Sequence, residues 1–317
     1  MHPHSHSHTH AHGHAHAHSH GGDARRARLG RAFAFGIALN LAFVVAEVIL
    51  GLMANSLALV ADAMHNLSDV VGLVLAWGAS ALALRPPSAR FTYGFCGSTI
   101  LAALANAMLL LVVSGGIAWE ALHRLKNPGA VNETLMIWVA VAGIVINGVT
   151  AWFFMADRKS DLNVRGAYLH MAADAGISAG VAIAGAVMLL TNWLWLDPAV
   201  SLLIVATIFV GTWGLLRDSV KLALHAAPEN IDPADVRRFL CALPGVTEVH
   251  DLHIWGMSTT ETALTAHLVM PAGHPGDDFF GRTVHEIEQQ FHIGHVTIQI
   301  ETGTSENPCA LAPDHVV

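Results

Sequence analysis

The same pair of metal-ligating residue types occurs twice in this chain with the same spacing. His65 precedes Asp69 by four residues and His170 precedes Asp174 by four, each pair within an apolar segment. In an α-helix of about 3.6 residues per turn, side chains four residues apart lie on one face. Two such helices facing each other would bring together two imidazoles and two carboxylates, a set that suits tetrahedral Zn²⁺.

The ligand types also indicate how such a site could work. Imidazole and carboxylate favour Zn²⁺, with Co²⁺ and Cd²⁺ as companions, whereas Cu(I) prefers sulfur and Mg²⁺ prefers oxygen alone. Two carboxylates cancel the double charge of the ion, and protons compete with metal for all four ligands. This competition would give a physical basis for exchanging metal for protons if the two helices lie in a membrane. The alternative is that the four side chains only hydrogen-bond to one another and hold two helices together.

The composition indicates a membrane protein that contacts lipid. Of 317 residues, 53% are hydrophobic and only 13% charged, whereas soluble domains carry about 25% charged residues. The formal charge of -8 and the lack of a basic face with aromatic residues argue against nucleic-acid binding. The three cysteines are far apart without C-x-x-C spacing, which predicts neither a disulfide framework nor a thiolate zinc cluster.

Six apolar stretches are long enough to cross a bilayer as helices, which takes about 20 residues. We place them at residues 32–54, 57–84, 97–122, 134–156, 164–190 and 196–216, within a membrane domain of residues 23–218. The two His-x-x-x-Asp pairs fall in the second and fifth spans. An ionisable residue at the centre of a span costs about 2.5 to 3.5 kcal/mol on insertion scales, so four of them require a partner.

Lys and Arg are distributed unevenly between the two sides of the predicted membrane. One side carries eleven of them beside or between the spans, namely Arg25, Arg26, Arg28, Arg31, Arg85, Arg90, Arg158, Lys159, Arg165, Arg217 and Lys221. The other side carries Arg124 and Lys126. Because positively charged loops stay in the cytoplasm, this bias predicts a multi-pass protein with both termini cytoplasmic, in the inner membrane if the protein is bacterial.

Residues 1–22 form a low-complexity segment in which ten of the first twenty residues are His. Such a segment cannot bury a core, so we expect a disordered cytoplasmic tail. It could be a metal-buffering arm that raises zinc near the cytoplasmic entrance, or it could be a cloning addition. Residues 304–317 are expected to form a second flexible tail.

Charged residues and alternating patterns replace the apolar runs in residues 226–303, which predicts a soluble domain. We expect helices at Asp232 to Leu243 and Asp277 to Phe291, and strands at Val246 to Trp255, Thr262 to Val269 and Val296 to Glu301. The order αββαβ is that of a small ferredoxin-like or metallochaperone-like sandwich. Its length of about 75 residues is short for an independent core, which favours dimerisation.

Three segments resemble the signatures of the cation diffusion facilitator family, in particular its zinc-transporting branch. They are SLALVADAMHNLSD at residues 56–69, VRGAYLHMAAD at 164–174 and VHDLHIW at 249–255. The resemblance covers about residues 25 to 303. It implies a homodimer of six-helix subunits with cytoplasmic domains that exports Zn²⁺ from the cytosol in exchange for protons by alternating access, conferring zinc homeostasis and resistance.

The resemblance also assigns roles to particular residues. It implies that His65, Asp69, His170 and Asp174 form the transport site, and His at the first position, where some members have Asp, is associated with zinc selectivity over cadmium. The chain departs from the family after Tyr93-Gly94. Relatives generally carry an Arg and a Glu where Gly97 and Thr99 stand here, and the loop between spans two and three lacks the His and Asp residues of an extra metal site.

In the soluble domain, His250, His267 and Glu301 match positions at which relatives bind regulatory metal ions. His295 and His253 could join them, although surface His residues are frequent in this chain. Within the membrane, Asp62 lies on the same helix face as His65 and could be either an accessory proton-relay or entry residue or a packing group. Other polar residues within the spans are expected to form interhelical hydrogen bonds. These are Asn40, Glu47, Asn106 and Asn147, of which Glu47 is the one that could have a functional role.

Three classes of function compete on this sequence. A zinc-exporting antiporter explains the paired ligands and the orientation of the spans. A membrane sensor or storage protein would bind zinc through the same residues without moving it. An intramembrane metalloenzyme would need a catalytic Glu in a His-Glu-x-x-His pattern, but the one His-Glu pair, His285-Glu286, lies in the soluble domain with Gln289 in place of the second His.

Overall fold

A computed structural model describes residues 41–155, 162–303 and 309–312. Several expectations therefore lie outside the described residues. They concern the tail at residues 1–22, the start of the first span with Asn40, most of the tail at 304–317, and six of the cations used for the orientation, namely Arg25, Arg26, Arg28, Arg31, Arg158 and Lys159.

Within the described residues, the membrane part contains six apolar helices. The described part of the first, α1, is Leu41–Ala54, and five further helices are long and apolar enough to cross a bilayer. They are α2 (Leu57–Ala83), α3 (Ser98–Lys126), α4 (Glu133–Met155), α5 (Leu162–Thr191) and α6 (Leu196–Ala223). Large apolar side chains such as Trp77, Trp119 and Leu190 are exposed on the outside, where lipid would cover them. Helix α6 continues seven residues beyond the predicted end at 216, because its last turns carry Arg217 and Lys221 and no longer need to be apolar.

The helices differ in how extensively they pack on one another. Helix α4 packs along α5, and α3 packs along α6, while α2 packs on α3 and α6. Contacts between α2 and α5 are few. Buried apolar side chains of α2, α4, α5 and α6, such as Leu59, Met136, Val181 and Ile204, form one shared core. The two helices that carry the His-x-x-x-Asp pairs therefore contact each other over a small area only.

The beginning of α2 is held by a carboxylate from another helix. Asp197, at the start of α6, accepts hydrogen bonds from the Ser56 hydroxyl and from the backbone N–H groups of Leu57 and Ala58, at 2.5, 2.8 and 3.2 Å. Asp197 is fully buried. Because the first N–H groups of a helix have no partners within it, this carboxylate satisfies donors that would otherwise be unpaired and favours the helix dipole.

At its other end, α6 is tied to the segment that leads into the soluble domain. Glu229 accepts hydrogen bonds from Arg217 at 3.0 Å and from Lys221 at 2.8 Å. Both cations lie in the last two turns of α6, so the helix and the segment that follows it are linked by side chains as well as by the chain.

The soluble domain contains α7 (Pro233–Cys241), β1 (Glu248–Gly256), β2 (Thr262–Val269), α8 (Asp277–Phe291) and β3 (His295–Glu301). Asp232 caps α7 by accepting the N–H of Ala234 at 2.9 Å, as its position before Pro233 predicts. The sheet has the order β1-β2-β3, with β1 antiparallel and β3 parallel to β2. Its core includes Val236, Leu240, Leu264, Leu268, Ile287 and Ile293. The predicted order αββαβ is confirmed.

Candidate metal centres

The four residues of the repeated His-x-x-x-Asp pattern lie together between α2 and α5. His170 Nε2 is 3.2 Å from Asp69 Oδ2 and 3.7 Å from Asp174 Oδ2, and His65 Nε2 is 3.7 Å from Asp174 Oδ1. His65 Nε2 and Asp69 Oδ2 on the same helix are 3.9 Å apart. The helical spacing thus brings each imidazole close to both carboxylates.

These separations suit a single tetrahedral ion. Ligand atoms about 2.1 Å from a tetrahedral zinc ion are about 3.4 Å from one another. The Oδ2 atoms of Asp69 and Asp174 are buried, and neither forms a well-aligned hydrogen bond with a described residue, although the imidazole of His170 lies 3.2 Å from Asp69 Oδ2. Buried acceptors without a donor are unfavourable, and a cation at this point would satisfy both.

Exposure of the four side chains differs along the helices. Asp174 is 1% exposed and His65 21%, whereas Asp69 is 35% and His170 43% exposed. Asp69 and His170 lie one turn further from the Leu57 end of α2 than His65 and Asp174. The site is therefore closed toward the Leu57 end of α2 and accessible from the opposite end.

A second polar group lies beside these ligands in the closed part of the bundle. Glu47 on α1 and Asp62 and Asn66 on α2 are each at most 1% exposed. Asp62 accepts a hydrogen bond from the hydroxyl of Ser178 on α5 at 3.0 Å. Asp62 thus lies near the site without contributing an atom to the four-residue group.

A separate cluster lies on the sheet of the soluble domain. His250 on β1 and His267 on β2 are directly opposite each other, with ring centroids 5.3 Å apart. Glu301 at the end of β3 contacts both, with Oε2 3.3 Å from His250 Nε2 and Oε1 3.0 Å from His267 Nδ1. The structure thus brings together the three residues singled out in the sequence.

Cys309 completes this cluster from the chain that follows the sheet. Its Sγ lies 3.5 Å from His267 Nδ1, and one ligand atom from each of His250, His267, Glu301 and Cys309 lies within 4.8 Å of the others. Two imidazoles, a carboxylate and a thiol form a ligand set suited to zinc. The sequence argument missed Cys309 because no periodic element leads to it, although a Cys eight residues beyond a candidate ligand could have indicated it.

Asp251 orients the imidazole of His267. Its Oδ2 is 3.4 Å from His267 Nε2, and its Oδ1 is 2.8 Å from His253 Nε2. A bulge in β1 between His250 and His253 and a φ of 49° at Asp251 let this side chain reach His267. A carboxylate on the outer nitrogen of an imidazole leaves the other nitrogen free for a metal ion. His253 therefore belongs to the surroundings of the cluster.

Two further observations support a cation at the cluster. Neither ring nitrogen of the buried His250 has a hydrogen-bond partner among the described residues. Burial acts to raise the pKa of Glu301, but hydrogen bonds from Cys309 and Gln299 and the nearby His250 and His267 lower this pKa below its usual value. The carboxylate is thus held in the charged form that binds metal.

His295 does not join the cluster. It begins β3 and pairs with Ala263, whereas Glu301 pairs with Val269 at the other end of the strand. Six residues of strand separate them by about 20 Å. The ring of His295 instead contacts that of Tyr93, with centroids 5.5 Å apart. The expectation for His295 overlooked the direction of the strand.

Gly97 and Thr99, which have small side chains at the start of α3, lie next to the soluble domain. The N–H of Thr259, in the turn between β1 and β2, donates to the Thr99 hydroxyl at 3.1 Å. A Cβ atom at Gly97 would lie 3.9 Å from the carbonyl oxygen of Met257. The two positions at which the sequence departs from the family therefore lie against the turn between β1 and β2, where Thr99 accepts a hydrogen bond that a charged side chain would not reproduce in the same way.

Two segments of the chain match known protein families. Residues 34–222 match the cation efflux transmembrane domain, and residues 228–303 match the cytoplasmic domain of cation efflux proteins. The chain is 40% identical over 278 residues to the metal cation efflux system protein CzcD of Cupriavidus metallidurans, covering 87% of this chain and 88% of that protein.

Two other relatives are similar over most of their length. The zinc transporter ZitB of Escherichia coli is 35% identical over 278 residues, with 87% of this chain and 88% of that protein covered. A cadmium, cobalt and zinc/H(+)-K(+) antiporter of Bacillus subtilis is 35% identical over 265 residues, with 82% and 85% covered.

Proposed function

Because this chain belongs to the cation efflux family of membrane transporters, we propose that it exports divalent metal cations, Zn²⁺ in particular, from the cytoplasm in exchange for protons. The observation that carries this proposal is the group of two imidazoles and two carboxylates between α2 and α5, with atoms 3.2 to 3.9 Å apart. In this group His65, Asp69, His170 and Asp174 bind the transported ion, and Asp62 is an accessory residue.

The exposure of the ligands supports a direction of entry. Metal enters past the more exposed Asp69 and His170 and is held at the buried Asp174. If both termini are cytoplasmic, as the distribution of Lys and Arg predicts, this open side faces the cytoplasm. Movement of α4 and α5 relative to α2, α3 and α6 would then close this side and open the other.

Protons drive release in this proposal. Each ligand binds metal only when it is deprotonated, so protons arriving from the far side compete with the ion and release it. The bound site is neutral because two carboxylates balance the ion, which lowers the electrostatic penalty of moving through the membrane. Zn²⁺ is the preferred cargo of such nitrogen and oxygen ligands, with Co²⁺ and Cd²⁺ as further substrates.

The soluble domain has a regulatory role in this proposal. The cluster of His250, His267, Glu301 and Cys309 binds a zinc ion that stays in place, and the domain forms the contact of a homodimer. Support for dimerisation comes from the small size of the domain. The His-rich segment at residues 1–22 would bind several ions weakly and supply them to the entrance.

Flux measurements in reconstituted vesicles test this function. With a proton gradient imposed, we expect wild-type protein to move zinc against its concentration, and collapse of the gradient should slow it. Asp69→Ala should abolish this flux, and Asp218→Ala, which changes an exposed carboxylate at the end of α6, should leave it intact. Parallel assays with zinc, cadmium, cobalt and manganese rank the substrates.

The same experiment separates the competing functions. A sensor or storage protein would bind zinc and show no flux in any gradient, and zinc flux indifferent to the proton gradient would contradict antiport. An intramembrane metalloenzyme lacks support because no His-Glu-x-x-His pattern occurs in the sequence.

A further inference from the structure

Two buried carboxyl groups lie beside the proposed transport site, and neither the accessory role of Asp62 nor any role of Glu47 has been specified so far. Glu47 on α1 is 0% exposed and Asp62 on α2 is 1% exposed. The side chains lie within hydrogen-bonding reach of each other. They belong to neighbouring helices, and neither is one of the four proposed metal ligands.

The hydrogen bonds of this pair are incomplete without a proton. Ser178 donates its hydroxyl to Asp62 Oδ2 at 3.0 Å. Asn66 is a nearby amide donor for Glu47, but no well-aligned hydrogen bond from a described residue reaches either oxygen of Glu47 or Oδ1 of Asp62. Two ionised carboxylates are acceptors only, so they can share a hydrogen bond only if one of them carries a proton.

No positive charge compensates the pair in the part of the chain that the structure describes. The ionisable groups that face it are Asp174 on α5 and His65 on α2, and no Lys or Arg is among its charged neighbours. A second negative charge in a buried, apolar surrounding is strongly unfavourable. A single proton on the pair would remove one of these two charges.

The position of the pair fits the exchange of this proton. Asp62 lies three residues from His65 toward Leu57, on the side where the site is closed. The more exposed ligands, Asp69 and His170, lie on the opposite side. A proton arriving from the closed side as the transporter opens there would meet Glu47 and Asp62 before it reached the metal ligands.

We propose that Glu47 and Asp62 share one proton that is released and regained in each transport cycle, forming a counter-ion site separate from the metal ligands. The inference rests on the proposed antiport. Arrival of a divalent cation at the neighbouring site adds two positive charges, the pair releases its proton, and its own charge changes from one to two negative units. Departure of the metal reverses the change, and the pair takes a proton from the other side.

Glu47→Gln tests this directly, because glutamine keeps the shape and can donate to Asp62 but cannot exchange a proton. In vesicles free of K⁺, zinc and proton fluxes are recorded with separate indicators for wild type and variant. We expect the variant to bind zinc and to move one proton fewer per zinc ion than wild type. Glu133→Gln, at the start of α4, is the matched control and should retain the wild-type ratio.

Asp62→Asn should lower the ratio of protons to zinc in the same way. This second variant keeps the test decisive if Glu47→Gln fails to fold. Infrared difference spectra of wild-type protein give a second measurement. Zinc addition should remove the carbonyl band of a protonated carboxylic acid, and this change should be absent in Glu47→Gln.

Several outcomes would overturn the inference while leaving the proposed function standing. One is coupled zinc flux in which both variants keep the wild-type ratio of protons to zinc. Another is a wild-type infrared spectrum in which zinc removes no protonated carboxyl band. Oxygen ligands also suit K⁺. If zinc flux requires K⁺ in wild type and no longer requires it in Glu47→Gln, the pair binds K⁺ and does not exchange a proton. Absence of coupled flux in wild type would instead reject the antiport itself.

Discussion

Two groups of imidazoles and carboxylates occupy this molecule, and they differ in what holds them. In the membrane, each of α2 and α5 supplies one His and one Asp, and these two helices make few direct contacts with each other. In the soluble domain, His250, His267 and Glu301 stand on three strands joined by backbone hydrogen bonds. The first group can change its geometry by helix movement, whereas the second cannot without breaking the sheet.

The two groups also differ in the exposure of their side chains and in the types of ligand. Asp69 and His170 are more than one-third exposed, while the side chains of His250 and His267 are largely buried. The sheet cluster also has a thiol ligand and a carboxylate, Asp251, that orients an imidazole. We therefore expect weak, reversible binding in the membrane and tight binding on the sheet, where structural zinc sites gain roughly 10 to 16 kcal/mol.

The largest expected effect follows the loss of Asp174. Its buried carboxylate lies 3.7 Å from both imidazoles of the membrane group, so Asp174→Ala leaves three ligands and one uncompensated positive charge with metal bound. We expect zinc flux in vesicles to fall by at least about 100-fold, since even residues around a metal site cost 10 to 100-fold. Metal analysis should still find one tightly held zinc ion per chain, on the sheet.

If zinc flux persists in Asp174→Ala, the membrane group does not bind the transported ion, and the two groups do not differ in the way described above. Asp278→Ala, which changes a carboxylate in the first turn of α8, serves as the control for loss of an acidic residue.

The next largest effect concerns His250. Both of its ring nitrogens lack hydrogen-bond partners among the described residues, and Nε2 faces Glu301. His250→Ala should lower the zinc affinity of the sheet cluster by about 10 to 100-fold, measured by competition with a chelator. Zinc flux at saturating zinc should continue. If this variant lost flux as completely as Asp174→Ala, the division between a transporting and a retaining group would be wrong.

A smaller effect is expected at Cys309, which contacts the cluster from outside the sheet. Cys309→Ser should weaken zinc binding by about tenfold, because a hydroxyl is a poorer zinc ligand than a thiolate. Mild oxidation of wild-type protein should have the same effect, which a reductant reverses. Cys241→Ser, at an exposed position, is the matched control. Equal affinities in the two variants would limit the cluster to three protein ligands.

The smallest effect concerns Asp197. Both of its oxygens accept hydrogen bonds at the start of α2, and an asparagine has only one acceptor oxygen. Asp197→Asn should lower the free energy of unfolding by about 1 kcal/mol, measured in detergent by thermal denaturation. Asp232→Asn, at the cap of α7, should change it little because asparagine caps a helix as well as aspartate. Equal losses in both would argue against a special role for Asp197.

The sequence predicts the membrane group better than the sheet cluster, for a physical reason. The four-residue spacing of His65 and Asp69 and of His170 and Asp174 is itself the geometry of a helix face, so the pattern contains most of the site. The sheet cluster depends on strand direction, which separates His295 from Glu301, and on a bulge at Asp251. Neither is encoded in a local spacing.

Contacts from distant segments were also beyond prediction. Cys309 follows the last strand, and Asp197 reaches the start of α2 from 140 residues away. No periodicity connects these residues with their partners, because both contacts arise from tertiary packing. The αββαβ order and most helix bounds, in contrast, follow from local patterns of apolar residues and from caps such as Asp232.

The uninterrupted α6 connects the surroundings of the two proposed metal-binding groups. Asp197 joins its first turn to α2, and Glu229 joins its last turns to the segment that enters the soluble domain. If an ion on the sheet changes the preferred position of α6, it changes the affinity of the membrane group by some factor. Linkage then requires an ion in the membrane group to change the affinity of the sheet by the same factor. In that case the affinity of the sheet cluster for cytoplasmic zinc must itself change as the membrane group binds and releases its ion during transport.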